Sequence, residues 1–555
     1  MQETVRIYCK NNDSYQDFPI GVSLLEVYRT MEVKLPHAPT CARVNNKTEP
    51  LYYTCYHPKT VEFIGISDPS GMRTYVRSLC FVLAKAVKDL YPGKRLWIEH
   101  SLSKGYYCDL DLKREITTED VHAIETRMQE IIGADYPFQT FEEQTEDVIR
   151  IFNKNGMEDK AVLLKTVGEV YSRYNALDGY INCFYGALLP STKCIYLFKL
   201  QKYNDGLLLR VPNPEQPDEL QPFVMQKKMR TVLQDLLKYQ KAIGVSNVGE
   251  LNQWAEKGEI SKIVKISEAM QERNIAQMAD EIAARYVNGL RVVLISGPSS
   301  SGKTTFCRRL DIQLMVKTLD PINISLDDYY VSREETPLDE DGAYDYESLY
   351  AIDLKQFNID LQRILAGEEV ALPTYDFKTG SRVYRGNTVQ LKKNSILVME
   401  GIHAMNPTLL PNIPIEEMYK IYVSALTSIS LDNHNWVSTT DNRLIRRIVR
   451  DYYFRNYSAK ETISRWPSVR RGEDKWIFPF QENADATFNS AMPYELAALR
   501  RSVEPMLKEI PPMTPEYTDA YRLLRFLRYF QYIDIQELPN TSLLREFLGG
   551  GLYPD

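Results

Sequence analysis

The residues Val292-Val293-Leu294-Ile295 and, one serine later, Gly297-Pro298-Ser299-Ser300-Ser301-Gly302-Lys303-Thr304 decide how the C-terminal half of this chain folds. A short run of consecutive apolar residues is the pattern of a parallel strand covered on both faces. The segment after it satisfies GxxxxGK[ST] at every fixed position. Gly297 and Gly302 free the backbone to turn its N–H groups inward onto phosphate oxygens. A helix starting near Lys303 adds the positive end of its dipole. Lys303 offers a charge to the β- and γ-phosphates of a nucleotide, and Thr304 offers a hydroxyl to Mg²⁺. With Ser299, Ser300, Ser301 and Thr305 these residues form the expected ATP-binding loop.

Working outward, Ile396-Leu397-Val398-Met399 is a second buried-strand run, and it ends in Glu400. A carboxylate there can hold Mg²⁺ directly or through water, because α/β sheets bind ligands in the crevice at their strand ends. Between the two runs, Leu354, Phe357, Leu361 and Leu365 line one face of a helix that Asp353 caps and Gly367 stops. Strands alternating with helices predict a parallel sheet covered by helices. Ile322 and Ile324 lead into Ser325-Leu326-Asp327-Asp328-Tyr329-Tyr330, a third strand end. Phosphoryl transfer to a hydroxyl needs a carboxylate to orient the acceptor and take its proton. Asp327 and Asp328 both qualify, and spacing does not choose between them. Arg443, Arg446, Arg447 and Arg450 recur at helical spacing as one cationic stripe, which Arg455 extends. Guanidinium groups suit phosphates because they are bidentate and always charged.

The chain has 555 residues, which at roughly 150 per domain predicts several units, each with its own core. A net charge of -7 supplies no overall basic field for nucleic acid. Eight scattered cysteines without a CxxC pair read as reduced thiols. Cys41 near His37 and Cys55 near His57 fit no zinc-finger spacing and read as buried small hydrophobes. The N-terminus lacks an apolar h-region, and no apolar run approaches the ~20 residues that span a bilayer. A cytoplasmic protein without membrane contact is expected. In the N-terminal half, Val5, Ile7 and Cys9 alternate as a strand, and Leu24, Leu25 and Val27 fit a short helix. Leu79, Leu83, Val87 and Leu90 mark a longer helix, Tyr106, Cys108 and Leu110 a strand, and Thr117 the cap of a further helix. Ile266, Met270, Met278 and Ile282 stripe a helical connector. The boundaries expected are 1–68, 69–235, 236–288, 289–500 and a helical tail at 501–555.

From Arg291 to about Arg500 the chain resembles the uridine kinase and phosphoribulokinase family of P-loop kinases. The blocks that carry the resemblance stand in order: GPSSSGKTT (297–305), SLDDYY (325–330), YDYESLYAIDL (344–354), LPTYDFKTGSR (372–382), VMEGIHA (398–404) and RLIRRIVRD (443–451). The resemblance implies Asp327 as the acceptor-orienting acid and Lys303 and Arg446 as its catalytic companions. It places Tyr330, Asp345, Tyr375, Phe377 and Arg443 on the acceptor, Arg450 on ATP and Glu400 with Mg²⁺. The implied activity is transfer from ATP or GTP to the 5′-hydroxyl of a nucleoside such as uridine or cytidine, by a homo-oligomer. Two positions depart from the pattern. Gly380 stands where pyrimidine-reading kinases often carry a histidine, and Asn456-Tyr457 stands where the lid tends to have Gly-Arg.

Residues 3–66 resemble a TGS domain of β-grasp type, and residues 70 to about 235 resemble the α+β second additional domain of threonyl-tRNA synthetase. The stretches are RSLCFVLAKAVKDLYP (77–92), GYYCDLDLKREITTEDVHAIETRM (105–128), INCFYGALLP (181–190) and YLFKL (196–200). The editing residues of that domain fall on Arg77, Phe81, Phe184 and Leu188, none of which performs that chemistry, and Cys183 is one position away. The expectation is a half that does not edit but binds RNA or a small ligand, or scaffolds the kinase. The alternatives are an NTP-gated tRNA-binding or regulatory protein and a phosphoribulokinase-like enzyme acting on another sugar or polyol.

Overall fold

The computed structural model describes residues 3–376, 379–427 and 429–553. In the C-terminal half the apolar runs become a five-stranded sheet. Its strands are β1 (Val292–Ser296), β2 (Asp320–Ser325), β3 (Ser395–Glu400), β4 (Met418–Ser424) and β5 (Ala486–Asn489). Their order is β2-β3-β1-β4-β5, and every neighbouring pair is parallel. Every residue of β1 is buried, which is why its sequence shows no alternation. Helices α1 (Lys303–Val316), α2 (Leu354–Leu365), α3 (Thr439–Phe454), α4 (Ala459–Trp476), α5 (Glu495–Lys508) and α6 (Tyr517–Leu527) accompany the sheet. The Asp353 carboxylate accepts from Gln356 N at 2.9 Å, the cap its sequence predicts for α2. The strand ends that follow β1, β2 and β3 emerge at one edge of the sheet, because the strands run in the same direction.

The N-terminal half opens with a five-stranded mixed sheet. In it the strand Thr4–Cys9 lies antiparallel to Ser14–Pro19 and parallel to Lys59–Ile64. The Ser23–Glu26 capping box starts the short helix Leu24–Thr30. Asp68 and Pro69 start a long helix, Pro69–Leu90, that buries Leu79, Leu83 and Val87 and leaves Leu90 at 39% exposure. The alternation of Tyr106, Cys108 and Leu110 is the strand Gly105–Leu110. Thr117 caps the helix Thr118–Gly133. Cys41 and Cys55 are buried. Among the described residues no helix is long and apolar enough to cross a membrane.

The structure adds detail to the expected connector and tail. The stretch read as one connector is three helices, Lys227–Ile243, Val248–Glu256 and Ile260–Tyr286, broken where Gly244 and Gly258 adopt φ +71° and +70°. Its buried stripe includes Ile260, Ile263, Val264 and Ile275, whereas Ile266 and Met270 are only partly covered. The tail expected at 501–555 packs into the core. Leu543, Leu544 and Phe547 are fully buried in the same apolar cluster as Ile295, Phe306 and, from the N-terminal half, Leu163.

The two halves are joined by a buried charge pair. Lys160, in the helix Glu158–Val167, places Nζ 2.7 Å from the Asp432 carboxylate, and both side chains have 0% exposure. Burial alone would push the Asp432 carboxyl up, but the Lys160 ammonium overrides it and holds it below the usual range. The Asp432 carboxylate also accepts from the backbone N–H groups of His434 and Asn435 at 2.9 and 3.1 Å. Asn435 Nδ2 and Lys160 Nζ both donate to Cys183 O. Removing one partner strands a buried charge, at a cost of about 3–5 kcal/mol. Lys160→Met should therefore lower the unfolding free energy by about that amount, and Lys160→Met/Asp432→Leu should recover much of it. Denaturant titrations of the three proteins check this.

Burial pushes the His100 ring down to about 4. The unfolded chain takes up a proton near pH 6.5 that the folded chain refuses, so this contribution is intact above pH 6.5 and lost as pH falls toward 4. His100→Asn should lose less melting temperature between pH 7 and pH 5 than the parent.

Candidate active site

The site begins where β1 ends. At Gly297 the backbone passes so close to Val423 O of β4 that a β-carbon would overlap it. Ser300 at φ +59° and Gly302 at φ +84° complete the turn into α1. Ser300 and Ser301 are 3% and 0% exposed, and their hydroxyls have no hydrogen-bond partner among the described residues. Lys303 Nζ folds back onto the turn, donating to Gly297 O at 3.0 Å and Pro298 O at 3.4 Å. The geometry is a cradle of backbone N–H groups with a lysine across its mouth.

Acidic groups approach from the neighbouring strand ends. Glu400 pairs with Ile295 on one side and Ser325 on the other, so it stands between the phosphate loop and the β2 turn. Burial pushes its carboxyl up to about 7 against the Lys303 ammonium, with Asp327 and Glu546 adding to the rise. Asp327 lies in the turn Leu326–Tyr329, and its carboxylate has no hydrogen bond or ion pair among the described residues. The neighbouring Asp328 carboxylate accepts from Tyr375 N at 3.0 Å. Burial raises the Asp328 carboxyl, and the Tyr375 N–H works against that rise. No cluster of three or more His, Cys, Asp or Glu side chains among the described residues is arranged to hold a metal alone. Thr304 is the second residue of α1, and Glu400 is the last residue of β3.

The residues expected to face the acceptor are largely aromatic. Tyr330 and Tyr375 are 7% and 5% exposed and meet edge to face with centroids 5.6 Å apart. Tyr330 OH donates to Tyr346 O at 3.2 Å. Asp345 caps its own loop, accepting from Glu347 N at 3.1 Å. The carboxylate next to it, Glu347, packs on Gly472 of α4, where a β-carbon would overlap it. Burial pushes Glu347 up to about 7, with Arg447, Glu473, Lys303 and Asp327 as its charged neighbours. Phe377 lies outside the described residues.

The arginine stripe departs from its sequence reading. Arg443 is 1% exposed and forms a bidentate pair with Glu473, with Nη2 2.7 Å from Oε2. Arg446 is fully buried and spends Nε and Nη2 on Glu495 at 3.1 and 2.6 Å. Arg450 pairs with Asp451 at 2.8 Å. The remaining donors turn to the phosphate loop. Arg443 Nη1 reaches Ser299 O at 3.1 Å, Arg446 Nη1 reaches Ser300 O at 3.4 Å, and Arg447 Nη1 reaches Ser299 Oγ at 2.8 Å. The stripe braces the loop at Ser299 and Ser300 while Arg443, Arg446 and Arg450 each also pair with a carboxylate. Glu473 and Glu495 had no motif to mark them, because each lies in a different helix from its arginine.

Two carboxylates also sit on loop N–H groups. Glu473 Oε1 accepts from Ser299 N, and Glu546 Oε2 accepts from Thr305 N, each at 3.1 Å. In the N-terminal half, Arg77, Phe81, Phe184 and Leu188 do converge. Phe81 and Phe184 lie 5.1 Å apart, Leu188 is buried with them, and Arg77 Nη1 donates to Ala187 O at 2.7 Å. The pocket is filled by apolar groups, and burial pushes the nearby Cys183 thiol up to about 12.

Residues 292–497 match the model of the phosphoribulokinase / uridine kinase family. The N-terminal part is similar to threonine–tRNA ligases. It is 32% identical over 181 residues to that of Syntrophomonas wolfei, covering 32% of this chain and 28% of the relative. It is 31% identical over 189 residues to that of Desulforamulus reducens, covering 34% and 30%. The chain thus spans under a third of the length of these curated relatives. Among solved structures, a possible uridine kinase from Bacillus stearothermophilus is similar at 20% identity and TM-score 0.26, over 38% of this chain and 97% of that one. A putative fructose transport system kinase from Silicibacter sp. TM1040 is similar at 16% identity and TM-score 0.30, over 38% and 98%.

Gly297→Ala forces the loop away from β4, at a cost of about 1–3 kcal/mol. It should lower the melting temperature and abolish ADP binding by calorimetry, whereas Gly133→Ala, an exposed helical control with open space around it, should leave ADP binding intact.

Proposed function

We propose that this chain transfers a phosphoryl group from ATP or GTP to the hydroxyl of a small molecule, with the 5′-hydroxyl of a nucleoside as the first candidate. The observation that carries the reading is Asp327. It is an acid with no hydrogen bond or ion pair among the described residues, beside Glu400 and the lysine of a phosphate-binding loop. Asp328, by contrast, is engaged by Tyr375 N. Asp327 would orient the acceptor hydroxyl and take its proton as the oxygen–phosphorus bond forms. Lys303 would leave the loop carbonyls and neutralise charge on the transferred group. Mg²⁺, held by Thr304 and Glu400, supplies charge neutralisation on the phosphates when bound. The Tyr330–Tyr375 wall would exclude water from the acceptor, and the arginine brace would keep the loop in its binding shape. Catalysis of this kind rests mostly on positioning and charge.

A second reading, a phosphorylated sugar as acceptor, draws on Arg333. Its side chain packs against Gly380 beside Tyr375, where a pyrimidine-reading kinase would present a histidine. A panel of nucleosides, polyols and sugar phosphates with MgATP, read by ADP release, separates the two. With the best acceptor, Lys303→Ala should lose at least ~10³-fold in turnover and Asp327→Asn a comparable amount, the second with ADP affinity unchanged. Near-parental turnover in both variants would reject the mechanism.

A further inference from the structure

Glu347 stands where the phosphate loop meets the aromatic wall. Its Cβ and Cγ lie against Gly472, where a β-carbon would overlap them. Gly472 is inside α4, and glycine inside a helix is destabilising relative to alanine, so α4 gives up stability at the point where the glutamate enters. Glu347 is half-buried, and its Oε2 is enclosed without a hydrogen-bond partner among the described residues. Its polar neighbours come from both sides of the site. Lys303 and Arg447 stand on the phosphate side, and Asp327 and Tyr330 on the acceptor side. The two cations are engaged elsewhere. Lys303 Nζ donates to Gly297 O and Pro298 O, and Arg447 binds Asp451 at 3.2 Å and Ser299 Oγ at 2.8 Å. Glu473, next to Gly472, is clamped by Arg443. The His403 ring lies beside the Glu347 and Ser348 backbone, and burial pushes it down to about 4, so it brings no cation at neutral pH.

We propose that Glu347 is a specificity residue of the acceptor pocket, whose carboxyl binds a hydroxyl of a polyhydroxylated acceptor other than the one that is phosphorylated. This rests on the kinase reading of the site and adds a substrate requirement to it. Asp327 serves the reacting oxygen. A second carboxyl on a second hydroxyl of the same molecule fixes its rotation as well as its position, which in-line transfer requires. A carboxyl suits a hydroxyl because it accepts a hydrogen bond when ionised and donates one when protonated. Asp345, two residues earlier, is the less available acid, because one of its oxygens accepts from Glu347 N at 3.1 Å. An acceptor without the second hydroxyl leaves the Glu347 carboxyl unpaired, and the site discriminates against it for that reason.

Steady-state kinetics on the full chain test this, using the best acceptor among nucleosides, polyols and sugar phosphates and its analogues lacking one non-reacting hydroxyl at a time. The parent should lose about tenfold or more in kcat/KM on one of these analogues. Glu347→Ala should show that loss already on the complete acceptor and lose nothing further on that analogue, with the KM for MgATP near the parent's. Glu347→Gln, whose amide oxygen still accepts a hydrogen bond, should fall between the two. If the loss in Glu347→Ala is the same on every analogue, or appears in the KM for MgATP instead, the residue is structural or serves the donor, and the proposal falls while the kinase reading stands. A best acceptor with a single hydroxyl overturns it equally. If Glu347→Ala does not fold, Glu347→Gln decides by the same comparison of analogues. If the parent phosphorylates none of the acceptors, both readings fall.

Discussion

The approach of the backbone at Gly297 to the carbonyl of Val423 is the constraint on which the site depends. β1 and β4 are neighbouring parallel strands, and the chain leaving β1 must cross the end of β4 to enter α1. With no β-carbon at that point, the turn lies flat on the sheet edge and its N–H groups converge. The same compression sets Glu400 and Asp327 beside the turn, because their strands run parallel to β1 and end at the same edge. Any side chain at position 297 would lift the turn and move the lysine relative to both acids.

Charge is distributed around this turn in two layers. The inner layer is Lys303, Asp327, Glu400 and Glu347, with two of the carboxyls raised by burial. The outer layer is a set of buried ion pairs, Arg443–Glu473 and Arg446–Glu495, whose spare donors fix the carbonyls of Ser299 and Ser300. A left-handed serine costs roughly 1–3 kcal/mol unless its surroundings hold it. The outer layer supplies that hold at Ser300. Guanidinium groups do this better than ammonium groups because one fork can bind a carboxylate and a carbonyl together.

Much of the C-terminal fold was legible in the sequence. The apolar runs at 292–295 and 396–399 have no alternation because both faces of the sheet are covered, and that is itself the signature of a parallel strand. The Asp353 cap was legible for the same local reason, an oxygen placed three residues before a free N–H. What failed was non-local. The arginine stripe at 443–450 has helical spacing, but its partners lie 30 and 49 residues away, and periodicity carries no information about them. The docking of Leu543 on Gly302 joins residues with no shared motif, and the helix breaks at Gly244 and Gly258 were hidden within a charged, helix-favouring stretch. The acceptor aspartate was ambiguous in spacing because Asp327 and Asp328 are adjacent, and the Tyr375 N–H that distinguishes them comes from a distant hairpin.

The lysine–aspartate pair at 160 and 432 also bears on how such a chain changes over time. Each half resembles proteins in which the other half is absent, which invites a picture of interchangeable modules. Yet neither member of the pair tolerates the loss of the other inside the core. A recombination event that replaced one half with a homologue lacking the matching charge would leave an ion buried without a counterion. A change at one half of the junction is therefore felt by the other, which makes the pair a coupling point as well as a structural joint.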